Sequence, residues 1–139
     1  MARFAIGYLN APVAVNDLGR VKWSNPNYVL DLWGLGSAEA RKIRFGGPTP
    51  PDGWAEHLAA KHGVKAAMIY DDWFGDAVGA DWVPLAKLTM LPPKAALGND
   101  TVTFYATDPA FAADMRGKLE RFAPTLPAGA ILTMTGPGT

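Results

Sequence analysis

The sequence predicts an α/β domain on a three-layer mixed sheet, short parallel strands first and an antiparallel hairpin after; a two-layer α+β sandwich is the alternative. Three observations carry that expectation. Short apolar runs at Val13, Tyr28 and Ala66 are bounded by turn residues, as in strands buried on both faces of a parallel sheet. A later pair, Val83 to Met90 and Thr101 to Ala106, reads as the antiparallel part. Between these runs stand helix start and stop signals.

Met1 to Asn10 carries Phe4 and Tyr8 one helical turn apart, yet no capping residue precedes them. That stretch is expected to be the end of a helix linking from a larger protein. Pro12 breaks it, and Val13-Ala14-Val15 forms a buried strand that ends in the turn Asn16-Asp17-Leu18-Gly19. After a one-turn or irregular connection, Tyr28 to Trp33 is the second strand, stopped by Gly34 and Gly36. Ser37 caps a helix to about Ile43, with Glu39 favoured in its first turn. Asp52 is expected to cap a second helix, Gly53 to His62, that closes at Gly63.

Ala66 to Tyr70 is the third strand and runs into Asp71-Asp72, and Trp73 to Asp81 is read as a loop. Pro84 near the start of Val83 to Met90 suggests an edge strand. A loop spans Leu91 to Asp100. Asp108-Pro109 is the clearest helix start, and Phe111, Met115, Leu119 and Phe122 then share one face, which marks a core stripe. Ala130 to Thr135 is a last strand, and Gly136 to Thr139 a tail.

At 139 residues the chain fits one domain, large enough to bury a core without metal or disulfide staples. Basic and acidic residues balance at 13 each, which argues against nucleic acid as a partner, because phosphate binding leaves a basic footprint. Arg41, Lys42 and Arg44 form a local basic cluster, read first as a solvated helix end and, as the alternative, as a phosphate or lipid-headgroup site. The absence of cysteine excludes thiol catalysis, disulfides and cysteine zinc sites. No apolar run reaches the ~18 residues of a membrane span, so the chain itself is expected to be soluble.

Parallel strands would gather Asp17, Asp31, Asp71 and Asp72 at their carboxyl ends, where ligands bind in open α/β sheets. Such a group could hold a hard cation or accept sugar hydroxyls. The plainer reading is that strand-end aspartates bond to loop amides. Trp73-Phe74 and Trp82 flank a small-residue stretch, where exposed rings would suit sugar stacking or a membrane interface and buried ones would pack the loop onto the sheet. Trp33 and Trp54 are read as core. Gly34-Leu35-Gly36 lacks the third glycine of a dinucleotide fingerprint, and no Walker loop, zinc-protease pair or serine elbow is present. No catalytic residue, cofactor or metal is expected. A small enzyme using Asp17, Asp31 and Asp71 remains an alternative to a binding module.

The pair Val13 to Gly19 and Val29 to Leu35 resembles the segment that opens the extracytoplasmic C-terminal domain of multi-spanning bacterial membrane proteins. These are similar to glycosyltransferases that use polyprenyl-phosphate sugars. In that family an Asp-x-Gly after a short strand is followed by an apolar strand ending Asp-x-x-Gly-Leu. Asp17-Leu18-Gly19 and Asp31-Leu32-Trp33-Gly34-Leu35 fill those positions, while Arg20-Val21-Lys22-Trp23 departs from the family's small and aromatic residues. The resemblance implies a non-catalytic accessory domain on the extracytoplasmic face of the bacterial membrane. Its partners would be the rest of a polytopic membrane protein and a glycan or lipid-linked sugar. With the aspartates, it makes Asp17, Gly19, Asp31, Asp71, Asp72 and Trp73 the candidate ligand-binding residues.

Overall fold

Helix α1 begins at Ala2–Phe4 and widens into a π turn, Ala5–Leu9, where the Asn10 amide reaches back to the Ala5 carbonyl at 3.0 Å. The computed structural model to which it belongs describes residues 1–92 and 99–136. Phe4 is fully buried and its ring lies 6.5 Å from Tyr8, so the stripe read from the sequence does face the core.

The three apolar runs become β1 (Val13–Val15), β2 (Val29–Asp31) and β3 (Ala66–Ile69), every residue of them buried. The antiparallel part comprises β4 (Val83–Met90), β5 (Thr101–Ala106) and β6 (Ala130–Met134). They form one six-stranded sheet in the order β2-β1-β3-β5-β4-β6, with β1 parallel to β2 and β3 and the other pairings antiparallel. A short α2 (Gly19–Lys22) bridges β1 to β2.

Period-two alternation sorts side chains between two cores. Val13, Val15, Met68 and Phe104 face one side, under α1 and under α6 (Ala112–Phe122), whose Met115, Leu119 and Phe122 are buried as the stripe predicts. Ala14, Leu30, Ala67 and Ile69 face the other, under α3 (Ala38–Phe45) and α4 (Ala55–Lys61). The α/β three-layer architecture expected from sequence is therefore the one found. Ser37 accepts the Ala40 amide at 3.2 Å and caps α3, and Asp108 accepts the Ala110 amide at 2.9 Å ahead of α6. Val64 and Gly63 donate to the carbonyls of Ala59 and Ala60, closing α4 where expected.

Four expectations change. Asp52 caps nothing, because Gly53 takes a φ of +76° that no helix accepts, and α4 starts at Ala55. The strand Val83–Met90 is not an edge: β6 pairs with it from Ala86 onward, and a bulge between Pro84 and Ala86 absorbs the missing proline amide. The segment after β3 is no plain loop, since α5 (Asp71–Phe74) and a tight turn at Gly75–Ala77 wind through it. Strand β2 is shorter than Tyr28 to Trp33, and Trp33 is 40% exposed rather than core. The loop expected over 91–100 falls in part, at 93–98, outside the described residues, as do 137–139 of the tail. Among the described residues no helix is long and apolar enough to cross a membrane.

Candidate functional site

The chain leaves β1 toward β2 and then crosses back to reach β3 on the other side of β1. Two adjacent strands whose outgoing connections diverge leave a crevice at their carboxyl ends, the usual ligand position in open α/β sheets. Here the crevice lies between residues 16–20 and residue 70. Asn16, buried just past β1, accepts the Tyr70 amide on its Oδ1 at 2.9 Å and so ties the two strand ends together.

Beyond that tie is a cavity of about 300 Å³, with Asp17, Arg20, Tyr70, Asn99 and Asp100 as its charged and polar wall and Val21, Leu88, Met90 and Val102 as its apolar one. Burial holds the Tyr70 hydroxyl above its ordinary pKa, and the charge of Asp17 adds to that. Tyr70 is thus a neutral donor at physiological pH. Gly19, another predicted residue, does not line the cavity; a Cβ there would sit 3.1 Å from the Asp17 carboxylate, which would have to give way slightly. Two acids, an amide, a guanidinium and a phenol around an apolar wall can orient a small polar group whose remainder is apolar.

The other predicted residues do not converge on this cavity. Asp31 is 1% exposed, and its two oxygens accept the Trp33 amide at 2.9 Å and the Gly36 amide at 2.7 Å. Asp71 accepts from the Thr103 hydroxyl at 2.6 Å and the Tyr105 hydroxyl at 2.9 Å. Burial, and after it the hydrogen bond to Asp71, pushes the Tyr105 pKa well above the ordinary tyrosine value. Asp72 lies at the surface and takes the Asn99 side-chain amide. Trp73 is half-exposed on α5, its ring 5.5 Å from Tyr70 and 6.4 Å from Trp33. Among the described residues no three carboxylates or histidines gather closely enough to hold a metal. Asp31 bonds to loop amides, as the plainer reading has it, whereas Asp71 meets side-chain hydroxyls of β5 instead.

The three aromatics around residues 73–82 divide: Phe74 and Trp82 are buried while Trp73 is not. Sequence reasoning also missed two residues. In sequence Tyr70 reads as the end of a strand, although a phenol next to Asp71 at a carboxyl end is a signal. Arg44 reads in sequence as part of a solvated helix end, but its Nη1 donates to the Trp33 carbonyl at 2.6 Å. Its guanidinium lies 4.5 to 4.7 Å from the rings of Trp33, Phe74 and Phe45. Nothing local in the sequence announces that stack.

No curated protein and no solved structure matches the chain. A family model described as a domain of unknown function, DUF8728, matches residues 1–105, which include the cavity-wall residues Asp17, Arg20, Val21, Tyr70, Leu88 and Val102. With three quarters of its length matched, from α1 almost to the end of β5, the chain belongs to the DUF8728 family.

Proposed function

We propose that this chain is a non-catalytic accessory domain on the extracytoplasmic face of a bacterial membrane glycosyltransferase-like protein. There it shapes the place where an acceptor, a glycan or a lipid-linked sugar binds. The membrane and glycosyltransferase setting rests on the resemblance of Val13 to Leu35, and one structural observation supports the non-catalytic part. Of the two aspartates in the unit Val13 to Leu35, Asp31 is committed to two loop amides inside the fold, and Asp17 stands at a cavity with Arg20 and Tyr70. A carboxylate so committed cannot trade protons with a substrate without releasing its loop, whereas Asp17 can accept hydroxyl hydrogen bonds where it is.

The encoding reading frame is the direct test. Many apolar spans upstream of Met1 are expected, and a frame that opens at Met1 sinks the proposal. A second reading, a free-standing module for a small ligand such as a sugar or divalent ion, is favoured by the cavity at the strand crossover. A melting shift with such a ligand, abolished by Asp17→Asn, is its expected mark. Flat melts across sugars, nucleotides and divalent ions would count against it.

A further inference from the structure

We infer that the corner carrying Trp33, Leu35, Phe45 and Trp73 is a seat on an anionic phospholipid surface. Leu35 is 81% exposed and Phe45 65%, and it is their contiguity rather than exposure alone that marks an interaction surface. Both line one shallow groove, and its charged members are Arg41 and Lys42. Arg44, stacked on Trp33 and Phe45, joins that groove to the half-exposed Trp33 and Trp73. The patch is therefore continuous, apolar at its tip and cationic at its flank.

That combination matches an interface lipid layer: aliphatic and aromatic tips enter the acyl boundary while Lys and Arg meet phosphates. No carboxylate lines the groove. The nearby acids are turned elsewhere: Glu39 on α3 pairs with Lys61 and His62, Asp71 takes Thr103 and Tyr105, and Asp72 takes Asn99. A sugar would need acceptors for its hydroxyls and a flat platform, but the groove offers donors, and the Trp33 and Trp73 rings are tilted by 57°. A second copy docked by two-fold symmetry would set Arg41 and Lys42 against their own equivalents. A phospholipid surface answers both halves of the patch. The inference does not depend on the accessory-domain reading, since any parent protein, or none, leaves the corner as it is.

The test is flotation of the chain with vesicles of phosphatidylcholine alone and with about one-third phosphatidylglycerol, against two surface double variants. Binding is expected to the anionic vesicles and to weaken as salt rises. Leu35→Ser with Phe45→Ser should reduce the partition coefficient by at least roughly tenfold. Arg41→Gln with Lys42→Gln should reduce it about fivefold per cation removed. Because all four side chains are exposed, melting temperatures should not move, and the charge variant still decides if the apolar one misfolds. Equal binding by wild type and both variants, no preference for anionic vesicles, or a lipid-free dimer that L35S/F45S dissolves would each overturn it. None of these readouts involves Asp17, so failure here and failure of the cavity reading are separable.

Discussion

The parallel half of the sheet, β2-β1-β3, and the antiparallel half, β5-β4-β6, share one hydrogen-bonded ladder but follow different sequence rules. Helices cover the parallel half on both faces, so every position in its strands is apolar or small until Asp31. The antiparallel half is covered unevenly: β5 buries Val102, Thr103 and Phe104 in succession, while β6 alternates half-buried and exposed residues, with Ile131 48% exposed, and Lys87 of β4 faces water. The polar and exposed aromatic features worth attention collect where the fully covered strands end. A strand buried on both faces has nowhere to display chemistry except its carboxyl end.

The sharpest way to break that comparison is a pair of truncations. Ile69→Ala, fully buried in β3, should cost about 2–5 kcal/mol in urea denaturation. Ile131→Ala in β6 should stay within about 0.5 kcal/mol. Equal losses would mean that the two halves are not differently covered. Next comes Asp31→Asn, which turns an amide NH₂ toward a backbone N–H and should cost about 1.5–3 kcal/mol. Hydrogen exchange at Trp33 and Gly36 should speed up with it; unchanged protection would remove the clamp from the account.

Gly34→Ala follows at about 1–3 kcal/mol, because Gly34 sits at φ +100° and a Cβ would lie 2.8 Å from the Arg41 backbone. The smallest effect concerns pH. The folded-state pKa of Tyr105 is raised above its unfolded value near 10, so its contribution is complete below pH 10 and is lost as pH climbs past it. Tyr105→Phe should cost about 0.5–1.5 kcal/mol at neutral pH and flatten the alkaline decline. Tyr70 acts in the same direction, so some decline should persist in the variant.

Much of this fold was legible because its signals are local. Ser37, Gly63 and Asp108-Pro109 mark helix ends with their own side chains or backbone, and the stripe Phe111 to Phe122 names its buried face. What could not be read locally went wrong for specific reasons. Asp52 looks like a cap until the backbone of Gly53 turns positive. Pro84 looks like an edge until a bulge lets β6 pair beyond it. Trp33 looks like core until Asp31 and Arg44, which hold its loop from the strand end and from α3, turn out to leave its ring at the surface. The aspartates were correctly placed at strand ends, but which amide or hydroxyl each carboxylate meets depends on residues 2 to 34 positions away.

The Asp31 clamp has a consequence for the cost of docking. Ordering a loose loop on contact with a surface costs about 1–2 kcal/mol of backbone entropy for each residue fixed. Residues 32–36 have already given up that freedom, held by two amides on one carboxylate and by the close approach of Gly34 to Arg41. Whatever meets this corner immobilises only side-chain rotamers, at about 0.5–1.5 kcal/mol apiece. Trp33 and Leu35 are thus carried as a rigid tooth, and a weak contact made by so few side chains can still be productive.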